Sequence, residues 1–173
     1  MPRFVGLLRG VNVGGRNLLP MAELRALVES LGYTDVRTFI QSGNVLFTAP
    51  KSPGAAHLEA AIRERFGLAV PVVLRTPPEL ARAVAADPFP GADRAKLYVG
   101  FMTQSPSPAA LAELDGRPFL PDAFAVEGKE LYLHLPDGMA RTKLPGYLDR
   151  RLKLAMTVRN WNTLAKLCEL AGE

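Results

Sequence analysis

A short loop near the N-terminus carries the residues best suited to bind an anion. It has the sequence Arg9-Gly10-Val11-Asn12-Val13-Gly14-Gly15-Arg16-Asn17 and joins an apolar stretch to an amphipathic one. Glycines permit positive φ angles and a close approach of the backbone to a ligand. Arginines offer paired donors to a phosphate or carboxylate. The loop therefore predicts an anion-binding site, with Arg9, Asn12, Gly14, Gly15, Arg16 and Asn17 as its candidate residues.

The same loop also has a purely structural interpretation. It lacks the Gly-Lys-Ser/Thr ending of a P-loop, and Gly10, Gly14 and Gly15 do not fit the G-x-G-x-x-G pattern of dinucleotide-binding loops. Asparagines in a tight connection commonly bond to their own backbone. A ligand-binding loop and a tight connection both stay open on the sequence alone.

A second polar cluster lies near the C-terminus. Arg141 to Lys143 precedes a predicted helix that begins near Pro145, and Thr157 to Thr163 is predicted to open the last helix. A helix N-terminus carries partial positive charge, so cations there are either screened by solvent or face an anion. The candidate binding residues of this cluster are Lys143, Arg159, Asn160 and Asn162. Alternatively, Asn160 caps the helix and Trp161 anchors it in the core.

Other kinds of chemistry have no clear agent. The two histidines and one cysteine show no metal-ligand spacing, so neither a metal site nor a cofactor is predicted. Asp122, Glu127, Asp137 and Asp149 are scattered along the chain, and no carboxylate pair can be assigned to acid–base catalysis. The lone Cys168 cannot form an internal disulfide, which favours a reducing, cytoplasmic location.

The composition is that of a globular chain with a small basic excess. The 173 residues include 48% hydrophobic and 22% charged residues, which argues against disorder. No run of about 18 apolar residues exists, so no membrane span or membrane partner is expected. The formal net charge of +4 favours anionic partners such as nucleic acid, phosphorylated metabolites or acidic proteins.

The elements that position the N-terminal loop follow a βαββαβ order. Hydrophobic patterning predicts strands over 3–9, 36–40, 44–48 and 70–75, and helices over about 20–31 and 58–66. Gln41 to Gly43 is predicted to be a hairpin turn, at the opposite edge of the sheet from the end of the first strand. Thr76 and Glu79 match a capping box that begins a further helix. The order is that of the ferredoxin-like unit.

The second half repeats this order up to its last strand. Strands are predicted over 96–102, 123–126 and 130–135, and helices after Ser107 and over about 145–154. No final strand is predicted, and an amphipathic helix ends the chain. We therefore predict an α+β fold of two tandem ferredoxin-like subdomains with antiparallel sheets and a C-terminal helix. They are predicted to span residues 1–88 and 95–173, without visible residue-level identity between them.

Four stretches, taken in order, resemble the bacterial family catalogued as domain of unknown function 1697. They are Leu7 to Gly15, Pro20 to Arg25, Phe39 to Val45 and Arg159 to Thr163. The similarity runs from residue 4 almost to the C-terminus. The resemblance implies an α+β fold of two ferredoxin-like subdomains, and it implies no activity, cofactor or catalytic residue.

Three functions are consistent with these observations. The first is a binding module for an anionic ligand (phosphorylated metabolite, nucleotide or nucleic acid) through the Gly/Asn/Arg loops. The second is an enzyme acting on a small phosphorylated or carboxylated substrate, and the missing general base counts against it. The third is an interaction or scaffold protein. The first two expect four basic side chains to converge on one pocket: Arg9, Arg16, Lys143 and Arg159.

Overall fold

The computed structural model describes residues 1–172, which form two four-stranded antiparallel sheets and six α-helices. The strands are β1 (Arg3–Leu8), β2 (Thr34–Phe39), β3 (Asn44–Thr48), β4 (Val72–Arg75), β5 (Leu97–Met102), β6 (Ala123–Glu127), β7 (Glu130–His134) and β8 (Met156–Asn160). The helices are α1 (Met21–Ser30), α2 (Ala55–Phe66), α3 (Pro77–Ala85), α4 (Pro108–Ala112), α5 (Leu144–Leu152) and α6 (Trp161–Ala171). The predicted α+β class is confirmed.

The chain divides into two compact units. Unit 1 comprises Met1–Ala81 and the last residues of the chain from Leu167 onwards, and unit 2 comprises Arg82–Lys166. The strand order is β2-β3-β1-β4 in unit 1 and β6-β7-β5-β8 in unit 2. Each unit thus places its first strand between its third and its fourth. The domain bounds 1–88 and 95–173 stay predictions, because compactness does not show which segment folds on its own.

The central strand of unit 1 is buried on both faces. Phe4 and Leu8 of β1 belong to a hydrophobic core with Leu24 of α1 and Ile62 of α2. Val5 and Leu7 alternate with them and are also fully buried. A strand buried on both faces needs an unbroken apolar run rather than an alternating pattern. This is why the apolar stretch after Arg3 predicted a buried strand.

Unit 2 has its own core beneath its sheet. Met102 of β5 and Leu133 of β7 pack there with Leu144 and Leu148 of α5. On the opposite face of β7, the buried Tyr132 hydroxyl donates a hydrogen bond to the Ala83 carbonyl at 2.5 Å. Burial raises the pKa of the Tyr132 hydroxyl. This bond secures the end of α3 within unit 2.

The two units share residues that become visible only when their strands are aligned by register. β1 and β5 both contain Val-Gly, and the valines pair with arginines: Val5 with Arg75 and Val99 with Arg159. Both arginines are buried. Each also donates from Nη1 to the carbonyl of the residue before it, at 3.0 Å. The expectation of halves without residue-level identity is therefore wrong at these positions.

The resemblance between the units continues from the arginines into the following helices. Thr76 follows Arg75 and its Oγ1 accepts a hydrogen bond from the Glu79 backbone at 3.4 Å. Asn160 follows Arg159 and its Oδ1 accepts from the Thr163 backbone at 2.8 Å. Both side chains therefore cap a helix N-terminus at the same place in the repeat. The expected capping roles of Thr76 and Asn160 are confirmed.

Sequence analysis missed the last strand, β8. This strand pairs with β5 from Met102 opposite Met156 to Tyr98 opposite Asn160. The residues predicted to open the last helix at Thr157 are thus strand residues, and α6 begins at Trp161. A buried arginine conceals the strand because it interrupts the apolar pattern. The Arg159 guanidinium is accommodated by hydrogen bonds to Thr157 Oγ1 at 2.7 Å and to the Val158 carbonyl.

Candidate functional site

The loop after β1 folds into a small hairpin, formed by residues 12–17 and called here the loop hairpin. Val13 and Arg16 form an antiparallel bridge, and the Arg16 N–H donates to the Val13 carbonyl at 3.0 Å. The Asn12 N–H donates to the Asn17 carbonyl at 3.1 Å. Gly14 and Gly15 form the tip with φ angles of 57° and 73°, a region that glycine occupies without strain. The glycines therefore serve the turn geometry.

Asn12 joins the loop hairpin to the rest of unit 1. Its Nδ2 donates to the carbonyls of Leu19 at 2.9 Å and Gln41 at 2.7 Å, and its Oδ1 accepts from the Leu19 N–H at 2.8 Å. Asn17 Nδ2 donates to the Gly10 carbonyl at 3.0 Å. These bonds hold the loop in place. They agree with the interpretation of the loop as a tight connection whose asparagines bond to the backbone.

The β2–β3 turn lies beside this loop, so its predicted position at the opposite edge is wrong. The Leu8 N–H donates to the Gly43 carbonyl at 2.8 Å. A Cβ atom on Gly43 would lie 2.6 Å from Val11 Cγ2, so the contact leaves no room for a side chain. The cause is topological. Strands β1 and β2 both run antiparallel to β3, so both end at the same end of the sheet.

Around the loop hairpin, unit 1 presents two arginines and three aliphatic side chains to solvent. The exposed fractions are 63% for Val13, 67% for Leu18 and 49% for Ile40, and Arg9 and Arg16 are also exposed. Each aliphatic residue is the sequence neighbour of Asn12 or of a residue that Asn12 binds, which keeps the three close together. We call these five residues the loop surface: Arg9, Val13, Arg16, Leu18 and Ile40.

The predicted site residues of unit 2 differ in how far they reach solvent. Lys143, directly before α5, and Asn162, in the first turn of α6, are exposed. Arg159 is buried, and burial lowers the pKa of its guanidinium to about 10, so it still carries its charge at neutral pH. Asn160 uses its Oδ1 to cap α6. Lys143, Asn160 and Asn162 are therefore exposed, and Asn160 is in addition engaged as the cap of α6.

The two predicted groups occupy different places in the repeated frame. Arg9 and Arg16 follow the end of β1, whereas Arg159 and Asn160 pair with residues near the beginning of β5. The loop of unit 1 and the β8 junction of unit 2 are thus not equivalent positions of the repeat. The convergence of the four basic side chains on one ligand stays a prediction.

Unit 2 contains a cleft that assembles residues left scattered by the sequence. Its volume is about 480 Å³, and the lining residues include Asp122, Asp137, Arg141 and Thr142. The Thr142 hydroxyl donates to Asp122 Oδ2 at 2.5 Å. The approach of Asp122 to Asp137 follows from the two strands predicted over 123–126 and 130–135. Because Ala123 pairs with His134, the residues just before β6 and just after β7 must approach each other. Asp122 and Asp137 thus line one cleft, and the Asp122 carboxylate is held there by its hydrogen bond from Thr142.

Within residues 1–172, no group of three or more His, Cys, Asp or Glu side chains is arranged to hold a metal ion. The helices described in this range are too short or too polar to cross a lipid bilayer.

Comparison with known proteins places the chain among relatives without an assigned activity. The model of the family described as "Protein of unknown function (DUF1697)" matches residues 1–132. The structure of the conserved bacterial protein SP0830 from Streptococcus pneumoniae superposes with a TM-score of 0.78, at 24% identity, over 98% of each chain. At this identity the likeness shows the fold alone. No curated protein shows significant similarity to the chain.

Proposed function

This chain belongs to DUF1697, a family of proteins of unknown function, and from its exposed arginine-bearing loop we propose that it is a binding module for an anionic ligand. Arg9 and Arg16 contact phosphate or carboxylate groups of that ligand, as a phosphorylated metabolite, nucleotide or nucleic acid would supply them. The observation that carries the proposal is their exposure on a loop that is already held in place. A preformed loop loses less conformational entropy on binding.

The charge pattern around the loop supports an anionic ligand. Residues 4–22 and 36–58, which include the loop hairpin and the β2–β3 turn, contain no aspartate or glutamate. They do contain Arg9, Arg16, Arg37 and Lys51. Lys51 lies at the other end of the sheet, since neighbouring Ala49 bonds to Pro2, whereas the Glu59 carboxylate lies near the loop end, where it accepts from the Val72 N–H opposite Leu8. Arg9 and Arg16 therefore provide the local attraction for an anion at the loop.

The exposed residues of unit 2 have a secondary part in the proposal. Lys143 and Asn162 are able to contact a ligand because they face solvent. Arg159 and Asn160 act instead through the backbone, since they fix the end of β8 and the start of α6. Arg75 and Thr76 fix the end of β4 and the start of α3 in the same way. This equivalence favours a structural role for Arg159 and Asn160.

Direct binding measurements test the proposal. The probes are inorganic polyphosphate, a DNA duplex and poly-glutamate, titrated against the full chain at increasing salt. The double variant Arg9→Gln/Arg16→Gln is expected to bind the preferred probe about tenfold or more weakly, because charge-assisted hydrogen bonds contribute about 1.5–3 kcal/mol each. The matched control is Arg63→Gln, an exposed arginine on α2. Binding that is absent for every probe, or equally weakened by the control, contradicts the proposal.

We also propose that each unit is a ferredoxin-like subdomain and that the protein works in the bacterial cytoplasm. The βαββαβ element order of both units supports the first statement. The single cysteine and the pneumococcal structural relative support the second.

A second candidate function is catalysis on a small phosphorylated or carboxylated substrate in the cleft of unit 2. It is favoured by the presence of Arg141, as an anion contact, beside Asp122 and Asp137. Asp137 is exposed and is the carboxylate open to a substrate. A panel of phosphorylated metabolites should then raise the melting temperature of the native chain, and Arg141→Gln should abolish that shift. A shift that persists in Arg141→Gln would exclude the cleft.

A further inference from the structure

We propose that the anion bound by the loop surface is an acidic segment of another protein. Its carboxylates meet Arg9 and Arg16, and its aliphatic side chains cover Val13, Leu18 and Ile40. The inference rests on the proposed function, since it assumes that the loop surface binds an anion, and it specifies what carries the negative charge.

The aliphatic side chains are concentrated, not scattered. Among the described residues, the large hydrophobic side chains that are exposed are those of Met1, Val13, Leu18, Ile40 and Leu120. Three of these five belong to the loop surface. Single exposed hydrophobic residues are normal on a protein surface, whereas a contiguous group marks an interaction site.

Ile40 adds an independent indication. Its φ angle is 49°, a left-handed conformation that β-branched residues rarely adopt, and yet its side chain is half exposed. Neither backbone preference nor core packing explains an isoleucine at such a position. An aliphatic side chain needed at the surface for a partner does explain it.

The charged residues of the loop surface are of the kind found in protein interfaces. The cores of such interfaces are enriched in aromatic residues, methionine and arginine and depleted in lysine, aspartate and glutamate. The five residues of the loop surface include two arginines and no lysine, aspartate or glutamate. In its arginines and its lack of other charged residues, the loop surface therefore resembles a protein interface.

Other kinds of partner would contact only part of the loop surface. Single-stranded nucleic acid binds by stacking its bases on aromatic rings, and the loop surface has none. A duplex that contacts the arginines through phosphates leaves the three aliphatic side chains uncovered. A symmetric dimer through this surface would bring four arginines into one interface with no acidic residue of the loop surface to pair with them. An acidic segment with aliphatic side chains meets both parts of the surface.

Selection from displayed short random peptides on the full chain tests the inference. We expect the enriched peptides to combine Asp or Glu with Leu, Ile or Val. A synthesised winner should bind Val13→Ser/Leu18→Ser at least tenfold more weakly, and Leu120→Ser, the control, unchanged. Ile40→Asn should also bind more weakly while melting at a higher temperature, because asparagine accepts the left-handed backbone. A merely structural Ile40 would not show both changes.

The outcomes separate the inference from the proposed function. If Arg9→Gln/Arg16→Gln weakens anion binding but the aliphatic variants do not, the inference is wrong and the proposed function stands. If the arginine variants change nothing, the proposed function fails as well. The inference is also overturned if no peptide is enriched. The same holds if a DNA duplex or a phosphatidylserine vesicle binds the loop surface more tightly than the selected peptide.

Discussion

The two units build the same strand order but differ at one end of their sheets. In unit 1, residues 9–20 follow β1 and contain the loop hairpin, which is bonded to the β2–β3 turn through Asn12. In unit 2, only residues 103–107 separate β5 from α4. The repeated frame therefore accounts for the sheet, and the segment inserted after β1 supplies four of the five residues of the loop surface, with Ile40 coming from the β2–β3 turn. The proposed binding loop thus lies where the two units differ.

The opposite lesson comes from the ends of β4 and β8, where the units agree. Each has a buried arginine folded back onto the preceding carbonyl, followed by a residue that caps a helix. The buried arginine and the helix cap are present in both units, whereas the loop hairpin is a feature of unit 1. We therefore expect the arginine and the cap to join strand to helix rather than to serve the loop. Four pairs of substitutions test this division, two of them at matching positions of the two units.

The largest expected effect is at the hairpin turns. Gly43→Ala should lower the free energy of unfolding by about 3 kcal/mol, because it combines a left-handed φ of 90° with a steric clash against Val11 and Leu8. Gly128→Ala, in the matching turn of unit 2, should cost only about 1 kcal/mol, because no atom lies within 4 Å of its Cβ position. Chemical denaturation measures both. Equal losses would show that the β2–β3 turn is not specially packed.

The next effect concerns the asparagines of the loop. Asn12→Ala removes three hydrogen bonds and should cost about 2 kcal/mol, whereas Asn17→Ala removes one and should cost about 1 kcal/mol. Denaturation of both variants measures the costs. Asn12→Ala should also weaken anion binding, because the loop hairpin loses its bond to Gln41. An Asn12→Ala chain with native stability would mean that the loop is not held by this side chain.

A smaller effect is specific to unit 2. Tyr132→Phe leaves the Ala83 carbonyl without its buried donor and should cost about 1–2 kcal/mol at pH 7. Tyr33→Phe, which keeps its stacking on Phe47, should change stability little. Burial raises the pKa of Tyr132 in the folded state. The stabilisation by its hydroxyl is thus present below the ordinary tyrosine pKa of about 10 and is lost as the pH rises above it. Wild type and Tyr132→Phe should converge in that range.

The smallest effect compares the two helix caps. Asn160→Ala should cost about 1 kcal/mol, near the middle of the range for lost N-caps. Thr76→Ala should cost about 0.5 kcal/mol, because its hydrogen bond is 3.4 Å long against 2.8 Å in Asn160. Thermal melts of the pair measure the difference. The reverse order of the two costs would contradict the equivalence of the two junctions.

Much of the fold was accessible from local patterns. The predicted strand 44–48 coincides with β3, and the strand predicted over 3–9 differs from β1 by one residue. Ser107 caps α4 as expected, with its Oγ accepting from the Ala110 N–H at 3.1 Å. Strand β8 was not predicted because the buried Arg159 interrupts its apolar pattern. The groups that make this arginine acceptable are the Thr157 hydroxyl and the paired strand β5, and hydrophobic periodicity shows neither of them.

The sequence by itself determined the α+β class, most elements of both units and the choice of the loop after β1 as a candidate site. These depend on residue type and spacing within a few residues, which act before any distant contact forms. Only the tertiary structure decided that the β2–β3 turn adjoins that loop and that Arg159 is buried. Those outcomes depend on strand order and register. Both bring together residues far apart in the chain, and local patterning carries no record of such distances.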